Sequence, residues 1–230
     1  MSFEYYDDYA SCKIISMTKS FIKNSISYAE LSPQEFIAYQ ARVSNPSNQM
    51  NTLTSEKLLM YCIKNKHWSI FEMFNIGMEV RTTRDISHQA IRHSSLRFQE
   101  QSQRYANPLD FDDGFVLREA RLQDNKNRQN SISVTDDELQ QEWKQRQLNQ
   151  IQLAKDNYLW AIERGIAKEQ ARVVLPEGLT KTVYYVNATL RSYIHYIQVR
   201  NDPSTQKEHR LIAEKMKNNL LLYFPFLDNL

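Results

Sequence analysis

The chain has 230 residues, 41% hydrophobic and 24% charged, a balance that suits a water-soluble protein with a sizeable buried core. Its net charge of +2 excludes a strongly basic nucleic-acid or membrane-surface protein, so any anion site must be a local cluster of Arg. Two cysteines, Cys12 and Cys62, make neither a disulfide framework nor a metal-binding pair and fit a reducing, cytoplasmic setting, that of a host cell should the source be viral.

The opening MSFEYYDDYA lacks the basic start and apolar stretch of a signal peptide. No run approaches the ~20 apolar residues of a membrane span. Four glycines, Gly77, Gly114, Gly165 and Gly178, cannot build G-x-G-x-x-G or a phosphate loop, so a dinucleotide held here uses no Rossmann cradle. The chain reads as one domain over residues 1–230 with no internal repeat.

Ser32-Pro33-Gln34-Glu35 predicts a helix start with a reciprocal capping box, and a helix to about Gln40. Thr54 or Ser55 opens the next, with Leu58, Leu59, Cys62 and Ile63 at helical spacing; Cys62 is therefore a core residue rather than a nucleophile. Phe74 to Arg81 alternates as a half-buried strand with Phe74, Ile76, Met78 and Val80 on one face. Asp85 to His93 reads as a helix capped by Thr83. Residues 106 to 134 are a polar surface excursion, with one short strand at Phe115 to Leu117. A second capping box, Thr135 to Glu138, starts a long helix that runs to Arg164. Trp143, Leu148, Ile151, Tyr158, Leu159 and Ile162 are its apolar positions, and Gly165 stops it. Lys168 to Val174 forms a short helix before Pro176, and Thr182 to Val186 a strand. Between Asn187 and Val199, Leu190, Ile194 and Ile197 fit a helix whose opposite face carries Arg191, His195 and Gln198. A last helix runs from about Thr205 to Tyr223. Strands and helices mixed in this way give an α+β fold with a mainly antiparallel sheet.

Chemistry concentrates between Gln89 and Tyr105, where three Arg and several hydroxyl and amide groups fall within 17 residues. A guanidinium grips phosphate with two parallel donors, and hydroxyls and amides can read a base edge or a ribose. Composition alone favours a solvated polar face, since short polar runs are common. No His, Cys and Asp spacing suggests a metal site, and His88 and His209 read as surface or structural.

The order of the residues carries more. Arg92, His93, Ser102 and Arg104, with Tyr105 following, resemble the RHRxxSxxxxSxR signature of the flavin-dependent thymidylate synthases, the thymidylate synthase complementing protein family. Two positions depart: the third signature residue is Ser94 in place of Arg, and the first signature Ser is Arg97. Further blocks are similar in order: Ala41-Arg42-Val43-Ser44, His67-Trp68-Ser69-Ile70-Phe71-Glu72, Ala171-Arg172-Val173-Val174-Leu175-Pro176, Leu190-Arg191-Ser192 with His195 and Arg200, then Gln206 and Glu208.

The resemblance implies a mixed α/β subunit and a homotetramer with shared active sites. It implies reductive methylation of dUMP to dTMP, with methylenetetrahydrofolate as carbon donor, FAD as hydride carrier and NADPH as reductant. On that basis Gln89, Arg92, Glu100, Gln101, Ser102, Gln103, Arg104 and Arg172 hold dUMP, Arg172 coming from a neighbouring subunit. Ser44, His67, Ser69, Glu72, Arg92, His93, Ser94, Ser95, Arg97, Glu100, Thr189, Arg191 and His195 contact or lie near FAD. Arg200 lies against the uracil and is the catalytic residue, since a guanidinium there stabilises the ring anion and drives electron density to carbon five. The segment after His93 is expected to stay helical, setting Arg97 one turn from Ser94 and bringing its charge back towards the flavin; the alternative is an Arg97 that points to solvent. Two other readings stay open: a nucleotide- or RNA-binding protein that keeps the Arg-rich segment, and a flavoprotein of the same fold with a changed substrate. Low net charge and the lack of an RNA-recognition motif weigh against the first.

Overall fold

The computed structural model describes residues 3–24, 27–111 and 113–228; Asp112, in the polar excursion, lies outside them. A short helix α1 (Tyr6–Tyr9) enters strand β1 (Ser11–Met17), followed by helices α2 (Pro33–Ala41) and α3 (Ser55–Lys64). A 3-10 turn at Ser69–Met73 leads into β2 (Asn75–Thr83), α4 (Arg84–Ala90) and β3 (Arg97–Glu100). Next come the hairpin β4 (Arg121–Gln123) and β5 (Ser131–Ser133), the long α5 (Asp137–Glu163) and the short α6 (Lys168–Ala171). Strand β6 (Lys181–Thr189) then runs directly into α7 (Leu190–Arg200), and α8 (Lys207–Leu221) comes last.

The main sheet has the order β1-β2-β6-β3 and is antiparallel at every pairing. Its spine is the β2–β6 pair, in register from Asn75 opposite Thr189 to Thr83 opposite Lys181. β1 changes register between Ile14 and Ser16, facing Gly77. A Cβ at that glycine would meet the Ser16 hydroxyl, which would have to turn aside. Ile76, Met78, Val80, Tyr184, Val186 and Ala188 bury one core with the inner faces of α7 and α8, including Tyr193, Tyr196, Ile212 and Met216. A second cluster joins Phe115 and Leu117 to Ile151, Tyr158 and Ala161 of α5.

Local chemistry explains most boundaries. Ser32 Oγ accepts from the Glu35 amide while Glu35 accepts from the Ser32 amide, the expected capping box. Gly165 takes φ +75°, the left-handed stop of α5. The cap of α5 is Asp136, whose carboxylate accepts from the Leu139 amide. The predicted Thr135 box does not form; Asp136 is a good cap one residue later. The helix begun near Asp85 ends at Ala90 rather than His93, and Thr83 gives no cap bond, its hydroxyl donating instead to Asp85. Beyond His93 the chain makes a tight turn and enters β3, so helical continuation is overturned: pairing with β6 extends the chain from Arg97. Phe115 to Leu117 makes only isolated bridges to Thr180 and Tyr5, although all three residues are buried. Lys168 to Val174 divides into α6 and a 3-10 turn, Arg172–Val174.

Other features had no sequence forecast. Strand β6 extends past Val186 to Thr189, and β1 was unforeseen. Trp143 and Leu159 on α5 are exposed. Besides Ile151, Tyr158 and Ala161, two amides anchor the helix: Gln140 brackets the Ala120 backbone, and Gln147, buried, brackets that of Arg118. No described helix is long and apolar enough to cross a membrane.

Candidate active site

The β2–β6 register builds the first half of the site. Asn75 lies opposite Thr189, so the turn just before β2 meets the start of α7 just after β6. Thr189 Oγ1 donates to Glu72 at 2.6 Å, and Arg191 Nη1 donates to the other carboxylate oxygen at 2.7 Å. The Thr189 bond, then the Arg191 guanidinium, hold the Glu72 carboxyl below its ordinary pKa against the cost of partial burial. Thr189 also accepts from the Ser192 amide and so caps α7. The predicted polar face of that helix forms: Arg191, His195 and Gln198 are exposed together while Leu190, Ile194 and Ile197 are buried. Glu72, Ser95, Arg191 and His195, with Trp68, Ser192, Ile194 and Gln198, line a cavity of about 370 Å³.

The β3–β6 register builds the second half. It draws the turn between α4 and β3 across α7. There Arg200 Nε donates to His93 Nε2 at 2.7 Å, and the Tyr196 ring meets the His93 ring edge-on at 4.8 Å. Burial, with help from the nearby charges of Arg200, His195 and Arg92, pushes the His93 pKa down to about 4. The imidazole is therefore neutral at pH 7, and because Nε2 accepts, its proton sits on Nδ1. Arg97 turns its guanidinium back on its own turn, donating to the carbonyls of Ser94 and Leu96. It reaches the Ser94 backbone across this turn and not along a helix face, so the expected one-turn helical placement is not what forms.

The nucleotide set splits. Gln89 is half-buried, donating to Gln206 at 2.7 Å. Arg92 is exposed. The Glu100 carboxylate is taken by Arg84 at 3.0 Å and by the Thr182 hydroxyl at 2.9 Å, so it serves to fix the loop. Gln101 bonds by its backbone, its amide to the Val183 carbonyl and its carbonyl to Arg84. Ser102 Oγ accepts from the Arg104 amide, and Arg104 reaches Glu169 at 3.3 Å on the open surface. Gln103 and Arg172 line a second cavity of about 370 Å³ with Arg84 and His88; its lining shares no residue with that of the first. Ser44, His67 and Ser69 are exposed, His67 with its ring 5.9 Å from that of Tyr61. From the His67 block it is Trp68 and Glu72 that reach the first cavity.

Trp68, Ser192, Ile194 and Gln198 were not forecast as lining. Gln198 was visible on the α7 face, whereas Trp68 reads as an ordinary apolar residue until the 3-10 turn is known. His209, read as surface or structural, is fully buried. Burial pushes the Cys12 thiol up to about 12 and also raises that of Cys62, so neither is a thiolate near neutrality.

Comparisons with known proteins bear on the family and the fold. The family model described as thymidylate synthase complementing protein matches residues 26–226. A probable flavin-dependent thymidylate synthase of Paramecium bursaria Chlorella virus 1 is 43% identical over 215 residues, covering 94% of this chain and 95% of that protein. A flavin-dependent thymidylate synthase of Synechocystis is 43% identical over 213 residues, covering 93% and 95%. Among solved structures, a UMP/dUMP methylase of Streptomyces cacaoi, bound with 5-Br dUMP, superposes with a TM-score of 0.77 at 22% identity, covering 95% of this chain and 92% of that one; that likeness is one of fold.

Proposed function

The chain belongs to the thymidylate synthase complementing protein family, and from that membership we propose that it is a flavin-dependent thymidylate synthase, an enzyme that methylates dUMP to dTMP. The observation that carries the reading is the contact of Arg200 with a neutral His93 beside a cavity walled by Glu72, Ser95, Arg191 and His195.

Those walls suit part of a flavin dinucleotide. They offer a cation, an imidazole, hydroxyls and an indole face, while the cavity is at the small end of the ~300–1,000 Å³ usual for ligands. In this reading one chain holds a portion of FAD, and neighbouring copies of a homotetramer supply the rest. Reduced flavin, when bound, supplies the hydride. Glu72 orients Arg191 and leaves its remaining guanidinium donors for the cofactor. Arg200 gives its Nε to His93, which keeps its Nη groups for the uracil, where they stabilise the ring anion and enrich carbon five in electron density. His93 orients that guanidinium without adding a like charge. Gln89, Arg92, Ser102, Arg104 and Gln103 bind the nucleotide, with Glu100 and Gln101 shaping the loop and Arg172 acting on a neighbour's substrate. Methylenetetrahydrofolate gives the carbon and NADPH reduces the flavin, in the cytoplasm.

The purified protein should show the visible bands of oxidised flavin, or acquire them on titration with FAD, and should form dTMP from dUMP when both co-substrates are added. A folded sample that takes up no FAD would overturn the reading.

A further inference from the structure

Gln89 is tied into a chain of side chains, partly buried at Gln89 and Gln206 and fully so at Glu208 and His209, whose hydrogen bonds can run in only one direction. Glu208 is 2% exposed and accepts from Arg121 Nη2 at 2.6 and 2.8 Å. Burial works against its charge, yet Arg118 and Arg121 hold the carboxyl below its ordinary pKa. An ionised carboxylate only accepts, so Gln206, 2.9 Å away, must present Nε2 to it. The Gln206 oxygen is then the atom facing Gln89, and Gln89 must present its own Nε2, at 2.7 Å. This aims the Gln89 oxygen at Nδ1 of His209, 3.3 Å away. That nitrogen must carry the proton, which leaves Nε2 bare to accept from the Tyr196 hydroxyl at 2.7 Å. His209 is fully buried and its pKa is pushed down to about 3, by burial first and then by Arg200 and His93, so it stays in the neutral form that this pattern needs.

We propose that Glu208, Gln206 and His209 are positioning residues that fix which end of the Gln89 carboxamide is offered to the nucleotide. The proposal rests on the reading of Gln89 as a dUMP-binding group. A carboxamide has two nearly isosteric orientations that offer opposite hydrogen-bond patterns, and uracil edges distinguish donor from acceptor. With its direction set, Gln89 has one N–H and one oxygen lone pair left, each at a determined place. Glu208, which lies 87 residues from its Arg121 partner, is the fixed end of the chain. Tyr196, which takes the end of the chain at His209, also meets the ring of His93 edge-on.

The chain contains five histidines, so histidine-selective ¹⁵N labelling of the flavin-loaded protein, with a His209→Gln control for assignment, can read the His209 tautomer. Wild type should show the neutral Nδ1–H form. Glu208→Gln should mix the tautomers and weaken dUMP binding about tenfold, the scale of one directed hydrogen bond, with FAD affinity within about twofold. Should Glu208→Gln fail to fold, Gln206→Leu breaks the same chain one step later and carries the same expectations. An Nε2–H tautomer in wild type, or a tautomer untouched by both variants, would overturn the relay. A relay that shifts while dUMP affinity stays within about twofold would overturn its positioning role. A wild type that binds FAD but no dUMP would overturn the nucleotide reading instead, whatever the tautomer.

Discussion

The two ends of the segment from Gln89 to Tyr105 are built to different standards. At its start, Gln89 and His93 face α7 and α8, and each has partners with a determined direction: Gln206 and His209 for one, Arg200 for the other. At its end, Ser102 and Arg104 lie on an open loop, where Arg104 meets Glu169 across a pair whose side chains are 60% and 50% exposed. A pair so exposed is worth between zero and about 1 kcal/mol, so a ligand or a second chain can displace Glu169 at little cost. The inner end is thus preorganised by one chain's own core, while the outer end is held loosely until something binds. Arg172, on the wall of the second cavity with Gln103, belongs with the outer end.

The sharpest way to break this comparison is at Arg200. If the inner end acts through a preorganised charge, Arg200→Ala should lower turnover by about 100-fold or more, with a much smaller change in FAD affinity. Steady-state rates with saturating flavin, beside a flavin titration, separate the two. Near-normal turnover would place ring activation elsewhere and make the Arg200–His93 contact a packing detail.

The outer end predicts a smaller and lopsided effect. Arg104→Ala should weaken dUMP binding by about tenfold, as expected for one charge-assisted contact. Glu169→Gln should leave the thermal midpoint nearly unchanged and should strengthen dUMP binding slightly, because Arg104 no longer has to be freed. Calorimetric titration of both variants gives the answer; a Glu169→Gln variant that binds dUMP more weakly would mean that the ion pair shapes the loop and is not merely displaced.

The inner end was legible where its signal was local. The face of α7 carrying Arg191, His195 and Gln198 comes from helical period alone, and the Ser32 capping box from four adjacent residues. The order of the family's blocks singled out Arg200 and His93 but gave no sign that the two touch. The features that could not be read were set by partners distant in sequence. His209 looks like any histidine on a helix until Tyr196 and Gln89 close around it. Gln140 and Gln147 carry no sequence signal of their own, yet they hold the backbone at Ala120 and Arg118. Glu208 gives no hint of Arg121, which arrives from a hairpin that read as irregular. The strand β3 was missed for the same reason: Arg97 to Glu100 is extended because β6 is there to pair with it, and the preceding hydroxyl residues do not announce where the helix ends.

The smallest effect expected concerns Arg97, which stands where related signatures carry Ser while Ser94 stands where they carry Arg. One reading makes Arg97 a transplanted charge for the flavin, and it predicts that exchanging the two residues restores binding. The geometry favours another role. The Arg97 guanidinium bonds the carbonyls of Ser94 and Leu96, the residues on either side of Ser95, and Ser95 lines the first cavity. Arg97 therefore pins the turn that sets one wall of the site. Because the residue is exposed, water can satisfy the same carbonyls, so Arg97→Ser should weaken FAD binding by only about three- to fivefold, the scale of a modest net hydrogen bond. A side chain at position 94 starts from the far end of the turn and cannot bond its own carbonyl in the same way. The double exchange, Ser94→Arg with Arg97→Ser, should accordingly bind FAD no better than Arg97→Ser alone. Full recovery in the double exchange, measured by the same flavin titration, would show that the charge matters and the turn does not.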